Sequence, residues 1–168
     1  ISRCQRYDFK RIPEREIARL YARRDAILLQ EHPELIALLN EASRITSPLE
    51  RFDRLEPIAR RNMDVAAIQR EAGLALLEAN SPHEAMRFFN RAVDINPYWL
   101  NAWIELGMAA QTAARLVRAK EAFTRAFHLS HEPWLKHTIH QLEDELEFGP
   151  HLPSLEIAND RIQVGDFP

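Results

Sequence analysis

The sequence predicts an all-α fold, a solenoid of stacked helical hairpins with a helix added at either end. Three observations predict it. Apolar residues recur at helical spacing along most of the chain. The stretch 64–129 repeats itself at an offset of 34 residues. Glycine is scarce, 4 in 168 residues, which leaves few tight turns and counts against a β-sandwich or barrel.

Residues 1–12 are polar and basic (Arg3, Arg6, Lys10, Arg11) and read as a flexible arm. Pro13 suits the first position of a helix, where its missing N–H costs nothing. Ile17, Leu20, Tyr21, Ile27 and Leu28 then fall on one side of a helix reaching about Glu31. His32-Pro33 breaks it, and a second helix runs to about Arg44 with Leu35, Leu38 and Leu39 apolar. Ser47-Pro48-Leu49-Glu50 has the form of a capping box and opens a helix to about Arg61. That helix must accommodate Pro57, at a cost of about 3 kcal/mol or a kink.

The repeat decides the architecture. Shifted by 34, Ala72-Gly73 lands on Leu106-Gly107, Ala85 on Ala119, Phe89 on Phe123, Arg91 on Arg125 and Ala92 on Ala126. Ser47-Pro48 and Glu50 land on Ser81-Pro82 and Glu84, so the upstream hairpin shares the register. Each unit reads as two helices of about 14 residues, turning at Ala79–Pro82 and at Thr112–Arg115. Gly73 and Gly107 fall mid-helix, where glycine costs about 1 kcal/mol against alanine. Close packing against a neighbouring helix compensates. Ala85, Ala92, Ala119 and Ala126 are small positions seven apart, with Phe89 and Phe123 as the knobs between them. These are structural residues. Pro133-Trp134 opens a further helix with Leu135, Ile139, Leu142 and Leu146 on one side, ending at Gly149-Pro150. Its acidic run 143–147 reads as the polar face of a capping helix. In the tail, Leu155, Ile157, Ile162 and Val164 suggest a hairpin or an extended segment.

The pattern resembles the tetratricopeptide repeat, W-x2-L-G-x2-Y, then A-x3-F, then P, at a period of 34. One unit matches as Trp103-x2-Leu106-Gly107, then Ala119-x3-Phe123 and Ala126. The other matches as Ala72-Gly73, then Ala85-x3-Phe89, Ala92 and Pro97. Gln69 stands where the first tryptophan is expected, and Leu76 and Ala110 replace the aromatic after glycine. The expected organisation is a repeat domain over 13–149: a cryptic repeat at 32–65, repeats at 66–99 and 100–133, and a capping helix at 134–149, followed by the tail 150–168.

The resemblance implies a concave groove lined by the first helix of each repeat. Carried onto this chain, the groove positions are Arg70, Leu74, Leu77, Asn101, Ile104, Glu105, Met108 and Gln111, with Asn40 extending the row. Relatives that clamp a peptide's C-terminal carboxylate use cations and amides at positions falling here on Arg70, Leu74, Glu105, Leu135 and Ile139. Only Arg70 fits, so such a clamp is not expected. The mixed apolar and polar row suits an amphipathic helix or an extended apolar segment. The implied function is a protein–protein interaction module, an adaptor or assembly scaffold without catalysis of its own. The alternative is the repeat-containing portion of a larger bacterial enzyme, a transferase or hydrolase, in which the repeats position substrate or subunits.

Composition narrows the classes further. The apolar share of 46% is too high for a disordered chain. A net charge of −3 argues against nucleic-acid binding. Cys4 is the single cysteine, so no intramolecular disulfide forms. No phosphate-binding glycine loop, HExxH or GxSxG is present. His128, His131, His137 and His140 are read as solvated rather than as a metal site, and no cofactor is expected. No apolar run is long enough for a transmembrane helix. Arginine outnumbers lysine 19 to 3, a hint of a GC-rich bacterial genome, with the cytoplasm or periplasm as the expected location. The chain starts at Ile1, which reads as a fragment or a processed chain. Residues 132–168 carry 2 basic and 8 acidic groups against 13 and 11 in residues 1–65. That polarity suggests homo-oligomers through the terminal helices or tail as a second kind of partnership.

Overall fold

The computed structural model describes residues 12–149. Its helices are α1 (Glu14–Glu31), α2 (Pro33–Ser43), α3 (Pro48–Arg61), α4 (Ala66–Glu78), α5 (Pro82–Ile95), α6 (Leu100–Thr112), α7 (Leu116–Ser130) and α8 (Pro133–Phe148). From α3 onward each helix packs antiparallel on the next. Residues 1–11, with Cys4, and the tail 150–168 lie outside the described residues.

The core is a string of three clusters rather than one centre, as a stack of hairpins requires. Leu35, Leu55, Ala59 and Ile68 hold α2 and α3 against α4. Leu76, Phe89, Val93, Ala102 and Leu106 join α4, α5 and α6. Ala110, Phe123, Ala126, Leu135 and Leu142 join α6, α7 and α8.

Within each clear hairpin one contact sets the spacing. A Cβ placed on Gly73 meets the Phe89 ring at 2.9 Å, and one on Gly107 meets the Phe123 ring at 2.7 Å. The close approach expected at these glycines is therefore made by an aromatic ring of the hairpin's own second helix. Both rings are essentially fully buried. Ala85 and Ala92 flank Phe89, and Ala119 and Ala126 flank Phe123, all without solvent contact.

The turns repeat with equal fidelity. Asn80 and Ala114 both take the left-handed conformation, at φ 58° and 54°. Ser81 N donates to Leu76 O at 2.9 Å, and Arg115 N to Ala110 O at 2.7 Å. Asn80 N and Ala114 N donate to Leu77 O and Gln111 O, each at 3.0 Å. This is a Schellman closure, which satisfies the last carbonyls of a helix. The α2–α3 turn differs: Arg44 caps α2 in the right-handed helical region. Pro57 lies inside α3 without ending it. The carbonyl it deprives of a donor belongs to Asp53, which is exposed and open to water.

α1 corrects the expected apolar face and start. Pro13 is the N-cap rather than the first helical residue. Leu20 and Ile27, expected to face inward, are 60% and 41% exposed. Ile17, Tyr21 and Leu28 are half-buried as expected, and Ala18, Ala22, Ala26 and Leu29 line an apolar cavity facing Tyr98, Trp99 and Ala67. Tyr21 meets Tyr98 at 5.5 Å between ring centroids. Arg24 donates to Ile95 O at 2.9 Å, and Asn96 Nδ2 donates to Asp25 at 2.6 Å. α1 thus runs along the edge where α5 ends and α6 begins.

Two outcomes follow from the repeated contacts. Gly107→Ala destabilises by about 1–2 kcal/mol, because the methyl overpacks Phe123. In a Phe123→Leu background the same change becomes neutral or stabilising, because the methyl enters vacated space and alanine favours helix by about 1 kcal/mol. A urea-denaturation double-mutant cycle measures the coupling. Ala114→Gly raises stability by about 0.5–1 kcal/mol, since it releases an L-residue from left-handed backbone. A thermal melt no higher than wild type contradicts that.

Candidate functional site

First helices of the clear hairpins approach each other directly: α4 meets α6. Their second helices, α5 and α7, are bridged by the hydrogen bond from Arg118 to Asn90. The face shared by α4 and α6, which carries the expected row, is here called the inner one. Arg70, Leu74 and Leu77 lie at successive helical turns of α4, and Asn101, Ile104, Glu105, Met108 and Gln111 lie along α6. Leu74 and Leu77 are half-buried against the middle cluster, and Ile104 against the last. Asn101 and Gln111 are exposed, as is Asn40 on α2. Met108 is 49% exposed, the large apolar side chain of this row most open to solvent.

The charged centre of the row is closed on itself. Arg70 Nε donates to Glu105 Oε2 at 2.8 Å, and its Nη2 donates to Glu105 Oε1. Its Nη1 donates to Glu71 at 2.8 Å. The guanidinium also lies 5.4 Å from the centre of the Trp99 ring. A planar fork with all three nitrogens engaged and a ring beneath it is a fixed fixture, not a free cation. The other clamp-equivalent positions offer no substitute. Leu135 is buried and Ile139 packs on the last cluster.

Sequence reasoning missed the pairing of Arg70 with Glu105, which sit 35 residues apart, close to one repeat. It also missed the apolar cavity of about 400 Å³ beside this face. Ala18, Ala22 and Ala26 of α1 form one wall, and Ala67, Tyr98 and Trp99 the other. Alanines four apart in α1 were its signal.

The four histidines do not gather. His131 caps α7 at φ 57° and packs edge-on to Phe127 at 5.7 Å. His140 Nδ1 lies 3.2 Å from Glu143 on its own helix. Lys120 of α7 also reaches Glu143, at 3.0 Å, and holds that carboxyl below the usual glutamate value while tying α8 down. Among the described residues no group of three His, Cys, Asp or Glu side chains is placed to hold a metal ion. No described helix is long and apolar enough to cross a membrane.

Burial lifts the Glu105 carboxyl above the ordinary glutamate value, against the opposing pull of Arg70; the nearby Glu71 charge adds to the rise. The folded chain thus holds this proton more tightly than the unfolded chain. Its contribution to stability falls as pH rises from the unfolded value near 4.5 through the raised folded value. The stability of wild type relative to Glu105→Gln should therefore decline across the range of pH that opens at 4.5 and rises from there, in urea denaturation. A difference that grows across that range shows that pairing outweighs burial.

No protein-family model matches the chain. An uncharacterised protein of Methanocaldococcus jannaschii is 27% identical over 84 residues, 50% of this chain and 95% of its own. Superkiller protein 3 of Schizosaccharomyces pombe is 37% identical over 75 residues, 44% of this chain; the match spans 5% of its length. Among solved structures, the Sgt2 TPR domain from Aspergillus fumigatus superposes with a TM-score of 0.62 at 16% identity. That match covers 79% of this chain and 93% of the other. The first TPR of Spaghetti, bound to the HSP90 peptide SRMEEVD, gives 0.61 at 16% identity, covering 67% and 92%. With its hairpins, its glycine–phenylalanine contacts and these neighbours, the chain is a helical-repeat protein with the tetratricopeptide-repeat fold.

Proposed function

We propose that this chain is a protein-interaction module, an adaptor or assembly scaffold with no catalysis of its own. It takes an apolar or amphipathic segment of another protein along the inner face of α4 and α6. The observation that carries this reading is the neutralised centre of that face. With Arg70 held by Glu105 and Glu71, the accessible surface is Leu74, Leu77, Ile104 and Met108. Asn101, Gln111 and Asn40 supply amides at its margins. Such a surface gains by covering side chains already half out of water, and it asks its partner for apolar area more than for charge. The solved structure of Spaghetti with a peptide bound supports peptide recognition as a use of this fold.

The test is affinity purification with wild type beside a Leu74→Arg/Met108→Arg variant whose helicity is checked by circular dichroism. The expected result is one or more proteins retained by wild type and lost by the variant. The variant removes about 2 kcal/mol or more of apolar contact and sets two charges in the face. Recovery of the same proteins by both chains contradicts the inner face as the binding site.

A further inference from the structure

The outer helices leave an opening of a different character. α3 and α5 stand side by side on the face opposite Arg70, and a cleft of about 340 Å³ lies between them. Its floor is Leu76, nearly fully buried. Its walls are Phe52 and Phe88, edge to face at 5.6 Å. At its rim Met63 is 56% exposed.

The charges around it are unbalanced. Arg60 is bound to Glu56 on its own helix, Nε to Oε1 at 2.7 Å. Glu56 is the carboxylate that α3 contributes to the cleft lining, and it is taken up by this pair. Arg87 and Arg91 also line the cleft, and among the described residues neither pairs with a carboxylate. Arg91 lies 5.8 Å from the Phe88 ring centre. Glu84 is the one acidic group in the lining outside the Arg60 pair.

One repeat further on the matching positions are closed. Arg118, in the place of Glu84, crosses from α7 to Asn90 of α5 and also holds Glu121 at 3.0 Å. Ala122 replaces Phe88 and is fully buried. Arg125, in the place of Arg91, points to Glu14 of α1 at 3.9 Å. The open cleft with free guanidinium groups is therefore particular to α3 and α5 and not a by-product of stacking hairpins.

We infer that the α3–α5 cleft is a second docking surface, which takes an acidic segment of a partner protein carrying an apolar anchor residue. The anchor lies in the cleft against the Phe52–Phe88 pair. Carboxylates on either side of it meet Arg87 and Arg91, which present fork-shaped donors suited to two-point bonding. This site is independent of the inner face, and one chain can hold both occupants.

Fluorescence anisotropy with the full chain tests it. The probe is a fluorescein-labelled dodecapeptide with a central Phe-Leu flanked by Asp and Glu. Its controls carry Asn and Gln, or Lys, in place of the acids, or Ser in place of Phe-Leu. Saturable binding is expected for the acidic peptide alone, weakening as salt rises from about 50 to 300 mM. Arg87→Ala/Arg91→Ala should weaken it about tenfold with helicity unchanged, and the corresponding pair of lysine substitutions should recover part of the loss. Met108→Arg should leave it intact. No saturable binding, equal binding of the neutral peptide, or indifference to the arginine pair overturns the inference. Loss of binding in Met108→Arg alone moves the acidic peptide to the inner face and also overturns it. Self-association seen by sedimentation and abolished by the arginine substitutions assigns the cleft to a second copy, and overturns the acidic partner.

Discussion

The seating of a phenylalanine ring on a glycine governs this structure. In each clear hairpin a ring from the second helix rests where the first helix has no Cβ. The helices can then approach as closely as backbone and ring permit, and the alanines on either side of the ring complete the contact. Because the contact recurs after 34 residues, successive hairpins have the same internal spacing and the same tilt. The left-handed closures at Asn80 and Ala114 follow from it, since helices so close need a short, sharp return.

The two faces of the stack differ in how they treat charge. On the inner face arginine is consumed internally, and burial is strong enough to disfavour the ionised form of its partner Glu105. On the outer face between α3 and α5, Arg60 pairs with Glu56 within a single helix, and Arg87 and Arg91 of the next helix pair with no carboxylate among the described residues. Arginine-rich composition alone says nothing of this. What matters is whether a carboxylate lies within one repeat on a neighbouring helix, as it does for Arg70, or one turn away on the same helix, as for Arg60.

Much of the fold was legible in the sequence, because a 34-residue offset reports on contacts that local propensity misses. The glycine and phenylalanine pairs, the alanine positions and the helix starts at Pro33, Pro48, Pro82 and Pro133 all follow from it or from local signals. Gln69 looked like a departure from the pattern. Its side-chain amide is buried and donates to Ala59 O at 2.7 Å and Asn62 O at 3.1 Å, at the end of α3. Trp103, at the matching position, donates to Pro97 O at 2.9 Å. A shared donor survives a change of side chain, and hydrophobicity does not register that. α1 was read with its larger residues inward, because leucine and isoleucine outrank alanine on any apolar scale. In the fold Tyr21 meets the edge at Tyr98, while Leu20 and Ile27 face solvent. The candidate binding face was legible only as a set of positions; the bond that neutralises its centre joins residues in different repeats.

α1 also bears on how the molecule folds. Most contacts in the stack join neighbouring helices, so each hairpin can form from a short stretch of chain with little loss of loop entropy. The bonds of α1 to Ile95 and Asn96 span 71 residues, and its approach to Arg125 reaches farther still. The first two need the end of α5 in place, and the last needs α7 as well. No residue of α1 is fully buried, so its seating adds little to lose locally. α1 is thus the helix most readily released from the stack, since side-chain bonds and partly exposed contacts hold it rather than buried apolar area.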